Sequence, residues 1–167
     1  MIDSQSGPAR TSGIHFPPPF LYVAFFLLGL LLERIAPAVS LPRGTSLAIA
    51  AVLLLPGFGL LFWSLLLFLK ARTSPLPMLP TTTIVQSGPY RWTRNPMYLA
   101  MLLIYTGVAL WFDVFWALVF VPAVIFLVGR LVIRKEERYL EEKFGEEYRR
   151  YKSEVGRWLG RPGRDRP

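Results

Sequence analysis

The sequence predicts an all-α, polytopic membrane protein with about four transmembrane helices. Hydrophobic residues make up 53% of the 167 residues, and the mean hydropathy is +0.39. Charged residues make up 18%, below the roughly 25% that is usual in soluble domains. The apolar residues are also gathered into four long runs without charge. Together these observations favour a chain that is largely embedded in a bilayer.

The first two runs are long enough for bilayer spans. Residues 16–32 carry no charge and, continued through residue 36, reach the roughly 20 residues that a transmembrane helix needs. Residues 45–69 form an uncharged run of 25 residues, long enough to span with some tilt. Pro56 predicts a kink near the middle of this second run. A signal peptide is the alternative for the first run, but no small-residue cleavage site follows it.

The third and fourth runs, residues 97–112 and 114–129, are separated by one charged residue, Asp113. A single long helix through this position would bury a charge at high cost. We therefore predict a tight helical hairpin with Asp113 at its tip.

Lys and Arg are distributed unevenly around the four predicted spans. The N-terminus, the loop 70–96 and the C-terminal tail share one side, which holds all basic residues except Arg34 and Arg43, 17 of 19. Since basic loops remain in the cytoplasm, we predict that the loop and the tail face the cytoplasm. The net charge of +8 then reflects topology and contact with anionic lipid.

Composition excludes several kinds of site. The chain has no Cys and a single His, His15. This excludes a disulfide scaffold and a Cys-based metal site, and it argues against a His-ligated metal or a Ser-His-Asp triad. No nucleic-acid-binding motif is visible. We therefore expect neither a metal ion nor nucleic acid as a partner.

The loop before the third run has features of a binding site. Its prolines prevent a regular helix, and residues 87–89 form a turn signal. Asn95 suits a helix N-cap and Pro96 suits the first helical position. The free N–H groups of this helix start, flanked by Arg91 and Arg94, suit an anion such as a carboxylate. The alternative is an ordinary capped helix with arginines at the membrane surface.

The fourth run continues into a charged tail that we predict to be helical as far as Phe144, where Gly145 offers a C-cap. Glu137 is the polar member of an apolar stripe that contains Ile133, Leu140 and Phe144. A buried carboxylate needs a partner. This partner is either a protein arginine or a ligand with hydroxyl or ammonium groups.

A second amphipathic segment follows Gly145. Tyr148, Tyr151, Val155 and Trp158 recur at spacings of three and four residues, with Lys and Arg at other positions. This pattern predicts a basic amphipathic helix that lies at the membrane interface.

Two polar segments, SGPYRWTRNPMYL and EERYLEEKFGEEYRRYKSEV, follow each other with two apolar helices between them. Together they resemble the isoprenylcysteine carboxyl methyltransferase and phospholipid methyltransferase superfamily, over residues 81–158. Asn95 stands where the family motif has a His, which removes a ring that could contact the cofactor or titrate. The positions that match the family motifs are Gly88, Pro89, Tyr90, Arg94, Asn95, Pro96, Tyr98, Glu136, Glu137, Phe144, Gly145, Tyr148 and Tyr151.

The resemblance implies an integral-membrane methyltransferase that uses S-adenosylmethionine. It implies that Arg94 and the helix start receive the cofactor's carboxylate, and that Glu136 and Glu137 accept hydrogen bonds from its ribose hydroxyls or ammonium. Arg94 and Glu137 are the implied catalytic residues, and we expect Glu137→Gln to weaken cofactor binding without unfolding the protein. The implied cofactor-binding residues are Gly88, Tyr90, Arg94, Asn95, Pro96, Tyr98, Glu136, Glu137, Tyr148 and Tyr151.

The methyl acceptor implied by the resemblance is lipophilic or small. A carboxylate acceptor needs a cationic anchor, for which Arg91, Arg130 and Arg134 are candidates. An amine or thiol acceptor needs a base or a low pKa, and no clear base is visible, which favours an acceptor that is already ionised. The alternatives are a phospholipid amine N-methyltransferase and a non-catalytic or reductase-like membrane protein on the same scaffold.

The predicted domain organisation is simple. Residues 16–158 form one membrane-embedded methyltransferase domain, whose motif-bearing part is residues 81–158. Residues 1–15 and 159–167 are predicted to be flexible tails.

Overall fold

All regular secondary structure in the described residues is helical, as the sequence predicts. The structure is a computed structural model and describes residues 17–38, 41–76 and 79–159. Except for Leu159, the predicted flexible tails lie outside these residues. The α-helices are α1 (Pro19–Ile35), α2 (Arg43–Lys70), α3 (Pro96–Trp111), α4 (Phe115–Val119), α5 (Val121–Val128), α6 (Arg134–Phe144) and α7 (Glu146–Glu154). A 3-10 helix, Gly88–Arg91, precedes α3, and a π-helix, Gly129–Ile133, joins α5 to α6.

Helix α2 is the one helix in the described part of the chain that is long and apolar enough to cross a membrane. It has 28 residues, and 11% of its most apolar window is buried inside the protein. Helix α3 is also apolar but has 16 residues, a length of about 24 Å at 1.5 Å per residue. A single helix of this kind does not establish the four-span topology, which therefore remains a prediction.

Helices α2 and α3 make the most extensive helix–helix contact, because small residues let their backbones approach closely. A Cβ at Gly107 would lie 2.7 Å from Cγ of Leu54, and a Cβ at Gly57 would lie 3.0 Å from a side chain of α3. Such contacts are typical of helices that pack against each other in a membrane. The Ser46 hydroxyl donates a buried hydrogen bond to the Leu110 carbonyl, 2.6 Å away, and fixes the register of the pair.

Helices α3 and α4 form the predicted hairpin. Helix α3 ends at Trp111, α4 begins at Phe115, and Asp113 at the tip has a positive φ of 59°. The Tyr105 hydroxyl donates a hydrogen bond to the Ala117 carbonyl across the hairpin, at 2.9 Å. The predicted position of the turn is therefore confirmed.

The fourth apolar run forms two helices rather than the single helix that the sequence predicts. Helix α4 ends at Val119, Phe120 has a turn-like ψ of −7°, and α5 begins at Val121. Pro122 lacks the N–H group that a continuous helix would need, so it lies in the first turn of a new helix. Pro56, in contrast, lies inside α2, which is one helix throughout.

The π-helix determines which side of α6 faces α3. Helix α6 ends at Phe144 as predicted, and Gly145 has a φ of 55°. A π-helical turn holds an extra residue, so it rotates everything that follows around the helix axis. Ile133, the last residue of the turn, is fully buried and belongs to the same apolar cluster as Tyr98 of α3. The acidic residues of α6 therefore lie near the start of α3.

Helix α7 folds back on α6 with its apolar side against the protein. Tyr148, Tyr151 and Val155 are buried and pack with Ile84 and Leu140. Protein therefore covers the stripe at these three residues, and the position of α7 at the membrane interface stays a prediction. The reversal of the chain between α6 and α7 turns them toward the loop that precedes α3.

Candidate functional site

A cleft lies at the start of α3, where the preceding loop meets α6 and α7. It holds about 820 Å³ of space between the atoms, part of which is open to solvent. Residues of this loop and of α3, α6 and α7 line the cleft.

Most of the predicted site residues line this cleft. They come from three separate parts of the sequence, the segment around the start of α3, the first half of α6, and α7. They are Tyr90, Arg94, Asn95, Pro96, Tyr98, Glu136, Glu137, Tyr148 and Tyr151.

Four predicted residues lie outside the lining of the cleft. Gly88 faces α2, where a Cβ would lie 2.8 Å from Leu67, and its φ is 59°. Arg91, Arg130 and Arg134 are exposed. These three arginines are therefore poorly placed to anchor an acceptor that is bound in the cleft.

The sequence did not reveal one wall of the cleft. Residues 81–85 have no helix or strand, and Thr81, Thr83, Ile84 and Val85 line the space. The Thr81 N–H donates a hydrogen bond to the Tyr139 hydroxyl of α6, at 3.2 Å. The β-branched composition of this segment is its signal in the sequence. It predicts an extended chain, but it does not predict a contact with α6.

Glu137 is a buried carboxylate between two arginines. Its side chain is 7% exposed, its Oε1 lies 3.2 Å from Nη2 of Arg94, and its Oε2 lies 2.6 Å from Nη2 of Arg157. The Arg157 Nε donates a second hydrogen bond to Oε2, at 3.2 Å. Of the two partners that the sequence leaves open, a protein arginine is thus present. Arg157 could not be predicted as this partner from sequence, because it lies 20 residues further along the chain and beyond a turn.

Glu136 lies beside this network and accepts a hydrogen bond from the Tyr98 hydroxyl, at 2.9 Å. Burial raises the pKa of the Glu136 carboxyl to about 7. The hydrogen bond from Tyr98 lowers this pKa, and the nearby charge of Glu137 raises it by a smaller amount. A carboxyl with such a pKa changes its charge near neutral pH. It can therefore bind a cation or accept a proton under physiological conditions.

The side chain of Asn95 does not cap α3, contrary to the prediction. Asn95 occupies the N-cap position without a capping hydrogen bond. Its Nδ2 instead donates to the Arg157 carbonyl at 2.9 Å, and the Thr93 hydroxyl donates to the same carbonyl at 3.1 Å. The Arg94 N–H donates to the Gly156 carbonyl at 3.0 Å. The chain beyond α7 is thus bound to the residues that precede α3.

Tyrosines form the aromatic part of the cleft. The rings of Tyr148 and Tyr151 lie edge to face with their centres 6.1 Å apart. The Tyr151 hydroxyl donates to the Tyr90 carbonyl at 2.7 Å. Burial raises the pKa of the Tyr90, Tyr148 and Tyr151 hydroxyls above the ordinary value. These hydroxyls therefore remain protonated and neutral.

The cleft combines an arginine–carboxylate network, a carboxyl that titrates near neutral pH, and aromatic and aliphatic walls. Such a set of groups can hold a zwitterionic ligand that also has a flat apolar part. Among the described residues, no group of three His, Cys, Asp or Glu side chains could hold a metal ion.

Comparison with known proteins places these residues in a family context. The family model described as phospholipid methyltransferase matches residues 45–147, more than half of the chain. An uncharacterized protein of Haemophilus influenzae is 48% identical over 63 residues, which cover 38% of this chain and 100% of that protein. The family match ends within α7, so Tyr148, Tyr151 and Arg157 lie beyond it.

We expect Glu137→Gln to destabilise the protein by about 3–5 kcal/mol, because it removes the negative partner that Arg94 and Arg157 share. The sequence alone predicts that this variant stays folded. The two arginine contacts predict instead that it loses stability. Denaturant unfolding in detergent measures the change. The control is Glu141→Gln, whose partly exposed carboxylate pairs with Lys152 at 3.1 Å and should cost less than about 1 kcal/mol. Equal losses would contradict the role of the network.

We expect Glu136 to make the stability of the protein depend on pH. Its carboxyl has a pKa of about 7 in the folded protein and an ordinary value of 4.5. Between these values the folded state keeps a proton that the unfolded state has released, so the free energy of unfolding falls as the pH rises. The side chain at position 136 cannot titrate in Glu136→Gln. The melting temperature of this variant minus that of wild type should therefore be larger at pH 8 than at pH 5. A difference that is the same at both pH values would refute this.

Proposed function

Since the chain belongs to the phospholipid methyltransferase family, we propose that it is a membrane methyltransferase that binds S-adenosylmethionine in the cleft at the start of α3. One observation carries the proposal. Arg94, Glu136 and Glu137 meet the tyrosines of α7 in a single cleft, at the end of a set of apolar helices.

The residues of the cleft fit the chemical groups of this cofactor. Arg94 lines the cleft while paired with Glu137, and a guanidinium suits the carboxylate of the cofactor. Glu136 suits a ribose hydroxyl or an ammonium group. The rings of Tyr148 and Tyr151 suit the adenine, and a tyrosine face also suits the positive sulfonium.

The bound cofactor supplies a methyl group on a positively charged sulfur. The residues of the chain contribute orientation and the exclusion of water, which are the main requirements of a displacement between two aligned reactants. Arg94 and Glu137 orient the ligand in this proposal, and the Tyr98 hydroxyl orients the Glu136 carboxyl.

We favour the amine of a lipid headgroup as the acceptor. An ammonium group must lose a proton before its nitrogen can take a methyl group, and Glu136, with a pKa of about 7, can accept a proton near neutral pH. An isoprenylcysteine-type carboxylate is the alternative. It would need a cationic anchor, and Arg91, Arg130 and Arg134 are exposed outside the lining of the cleft.

We also propose four membrane spans with the loop and the tail in the cytoplasm. Large apolar side chains are exposed along the first two helices, for example Leu27, Leu31, Val52, Leu55 and Phe62, and lipid is the natural cover for such a surface. The uneven distribution of basic residues supports a cleft at the cytoplasmic end. A water-soluble cofactor would reach it from the cytosol, and a lipophilic acceptor from the bilayer.

Calorimetric titration of S-adenosylmethionine into the purified protein in detergent tests the function. Tyr98→Phe removes the hydrogen bond to Glu136 and should weaken binding about tenfold or more, since a hydrogen bond to a charged group contributes about 1.5–3 kcal/mol. Tyr105→Phe is the matched control, because this buried tyrosine of α3 bonds to Ala117 instead, and its affinity should equal that of wild type. Folded wild-type protein that binds no cofactor at millimolar concentration would overturn the proposal.

Single cysteines test the topology, because the chain has none of its own. Gln86 lies in the loop before α3 and Phe112 lies at the hairpin tip, and both are exposed. We expect a membrane-impermeant maleimide to label Gln86→Cys in inside-out vesicles and Phe112→Cys in right-side-out vesicles. Labelling of both variants from the same side would contradict four spans.

A further inference from the structure

Two tryptophans lie together on the outside of the apolar helices, close to the cleft. Trp63 belongs to α2 and Trp92 follows the 3-10 helix, and their rings lie edge to face with their centres 6.3 Å apart. Trp63 is 44% exposed and Trp92 is 63% exposed. Gly88 lets the 3-10 helix approach α2 here, because a Cβ at Gly88 would lie 3.1 Å from Nε1 of Trp63. We name Trp63 and Trp92 the tryptophan pair.

The tryptophan pair combines exposed apolar rings with polar N–H groups. The Nε1 of Trp116 donates a hydrogen bond to the Ala36 carbonyl, at 2.8 Å. The N–H groups of Trp63 and Trp92, in contrast, have no acceptor among the described residues. A ring that needs an apolar cover and an N–H group that needs a polar partner are both satisfied at the border between lipid chains and water.

The surroundings of the tryptophan pair change from apolar to basic along α2. On the side toward the start of this helix, exposed side chains such as Leu55 and Phe62 are apolar. On the other side the helix ends at Lys70, which is exposed, and Arg91 beside Trp92 is exposed as well. Basic residues near the end of a membrane span lie at the level of the lipid headgroups. The tryptophan pair therefore lies where a membrane interface is expected.

A second group of exposed aromatic residues, which includes Trp111 and Phe112, lies at the opposite end of the apolar helices. Ser46 of α2 lies at the level of this group, because its hydroxyl donates to the Leu110 carbonyl. From Ser46 to Trp63, α2 rises by about 26 Å at 1.5 Å per residue. This distance is close to the roughly 30 Å of the hydrocarbon core of a bilayer. The two aromatic groups are thus spaced as the two interfaces of a membrane are.

The cleft begins at the level of the tryptophan pair and extends away from the apolar helices. Tyr90, which lines the cleft, lies two residues before Trp92. Phe68 also lines the cleft, and it lies beyond Trp63 along α2 by a rise of about 7.5 Å. The headgroup region of a bilayer occupies about 5–8 Å on each side of the hydrocarbon core. These distances place the cleft wall within the headgroup layer.

We propose that the tryptophan pair binds the headgroup region of the bilayer and holds the cleft at the depth of the lipid headgroups. The proposal rests on the proposed membrane spans, and it deepens the proposed function. At that depth the amine of a lipid headgroup reaches Glu136, which lines the cleft, while its acyl chains stay in the bilayer. The acceptor is therefore a lipid that remains in the membrane rather than a water-soluble amine.

Fluorescence quenching by nitroxide-labelled phosphatidylcholine in vesicles measures the depth of a single tryptophan. One reporter keeps Trp92 and has Phe at the other four tryptophan positions. Two further reporters have Phe at all five positions and carry either Phe68→Trp in the cleft wall or Leu55→Trp near the middle of α2. We expect a headgroup nitroxide to quench Trp92 and Phe68→Trp about twofold more than a nitroxide near the end of the acyl chain. The order should be reversed for Leu55→Trp, which is the control for depth.

Each outcome bears on one part of the proposal. Stronger quenching of Trp92 by the chain-end nitroxide would overturn the interfacial anchor. Quenching of Trp92 by neither nitroxide would also overturn it, and is the result expected if a second copy of the chain or another protein covers the pair. Absence of headgroup quenching for Phe68→Trp would overturn the proposed depth of the cleft.

The measurement requires neither the cofactor nor turnover. Its failure therefore leaves the methyltransferase proposal standing, whereas folded wild-type protein that binds no S-adenosylmethionine overturns that proposal alone. Circular dichroism identifies the reporters that are folded. If the reporter with Trp92 alone does not fold, the difference in quenching between wild type and Trp92→Phe carries the same test.

Discussion

The buried carboxylate of Glu137 joins three parts of the chain that are distant in sequence. Arg94 comes from the segment before α3, Glu137 from α6, and Arg157 from the chain beyond α7. A charge that is buried away from water needs a partner. Each of these three segments therefore depends on the other two being in place. The cleft has its shape and its charges only when all three segments are in place, which couples the completion of the fold to the formation of the site.

Helix α3 connects this polar network to the apolar part of the molecule. Its first turn borders the cleft, and its later turns pack against α2 through Gly107 and Gly57. The Tyr22 hydroxyl of α1 donates to the Tyr98 carbonyl at 3.1 Å, and the Tyr98 hydroxyl donates to Glu136 at 2.9 Å. The packing of the apolar helices thus determines where the titrating carboxyl lies, and the π-helix turns α6 to meet it.

Local patterns predicted most of the helices, and the family resemblance implied many of the residues that line the cleft. The apolar stripe of α6 predicts that Glu137 is buried, Gly145 predicts the end of that helix, and Asp113 predicts the hairpin tip. Contacts between distant segments could not be predicted in this way. No periodicity relates Arg157 to Glu137. The side chain of Asn95, which has the preference for an N-cap, donates instead to the Arg157 carbonyl. The stripe of α7 was correctly recognised as apolar, but an amphipathic pattern does not distinguish protein from lipid as the surface that covers it.

The position of a bound cofactor tests this account most directly. The measurement is a structure of the protein in lipid nanodiscs with saturating S-adenosylhomocysteine, which has the carboxylate, ammonium, ribose and adenine of the donor. We expect density for the ligand in the cleft at the start of α3, with its carboxylate beside Arg94 and its other polar groups near Glu136. An empty cleft, or a ligand bound elsewhere on the protein, would contradict the central claim.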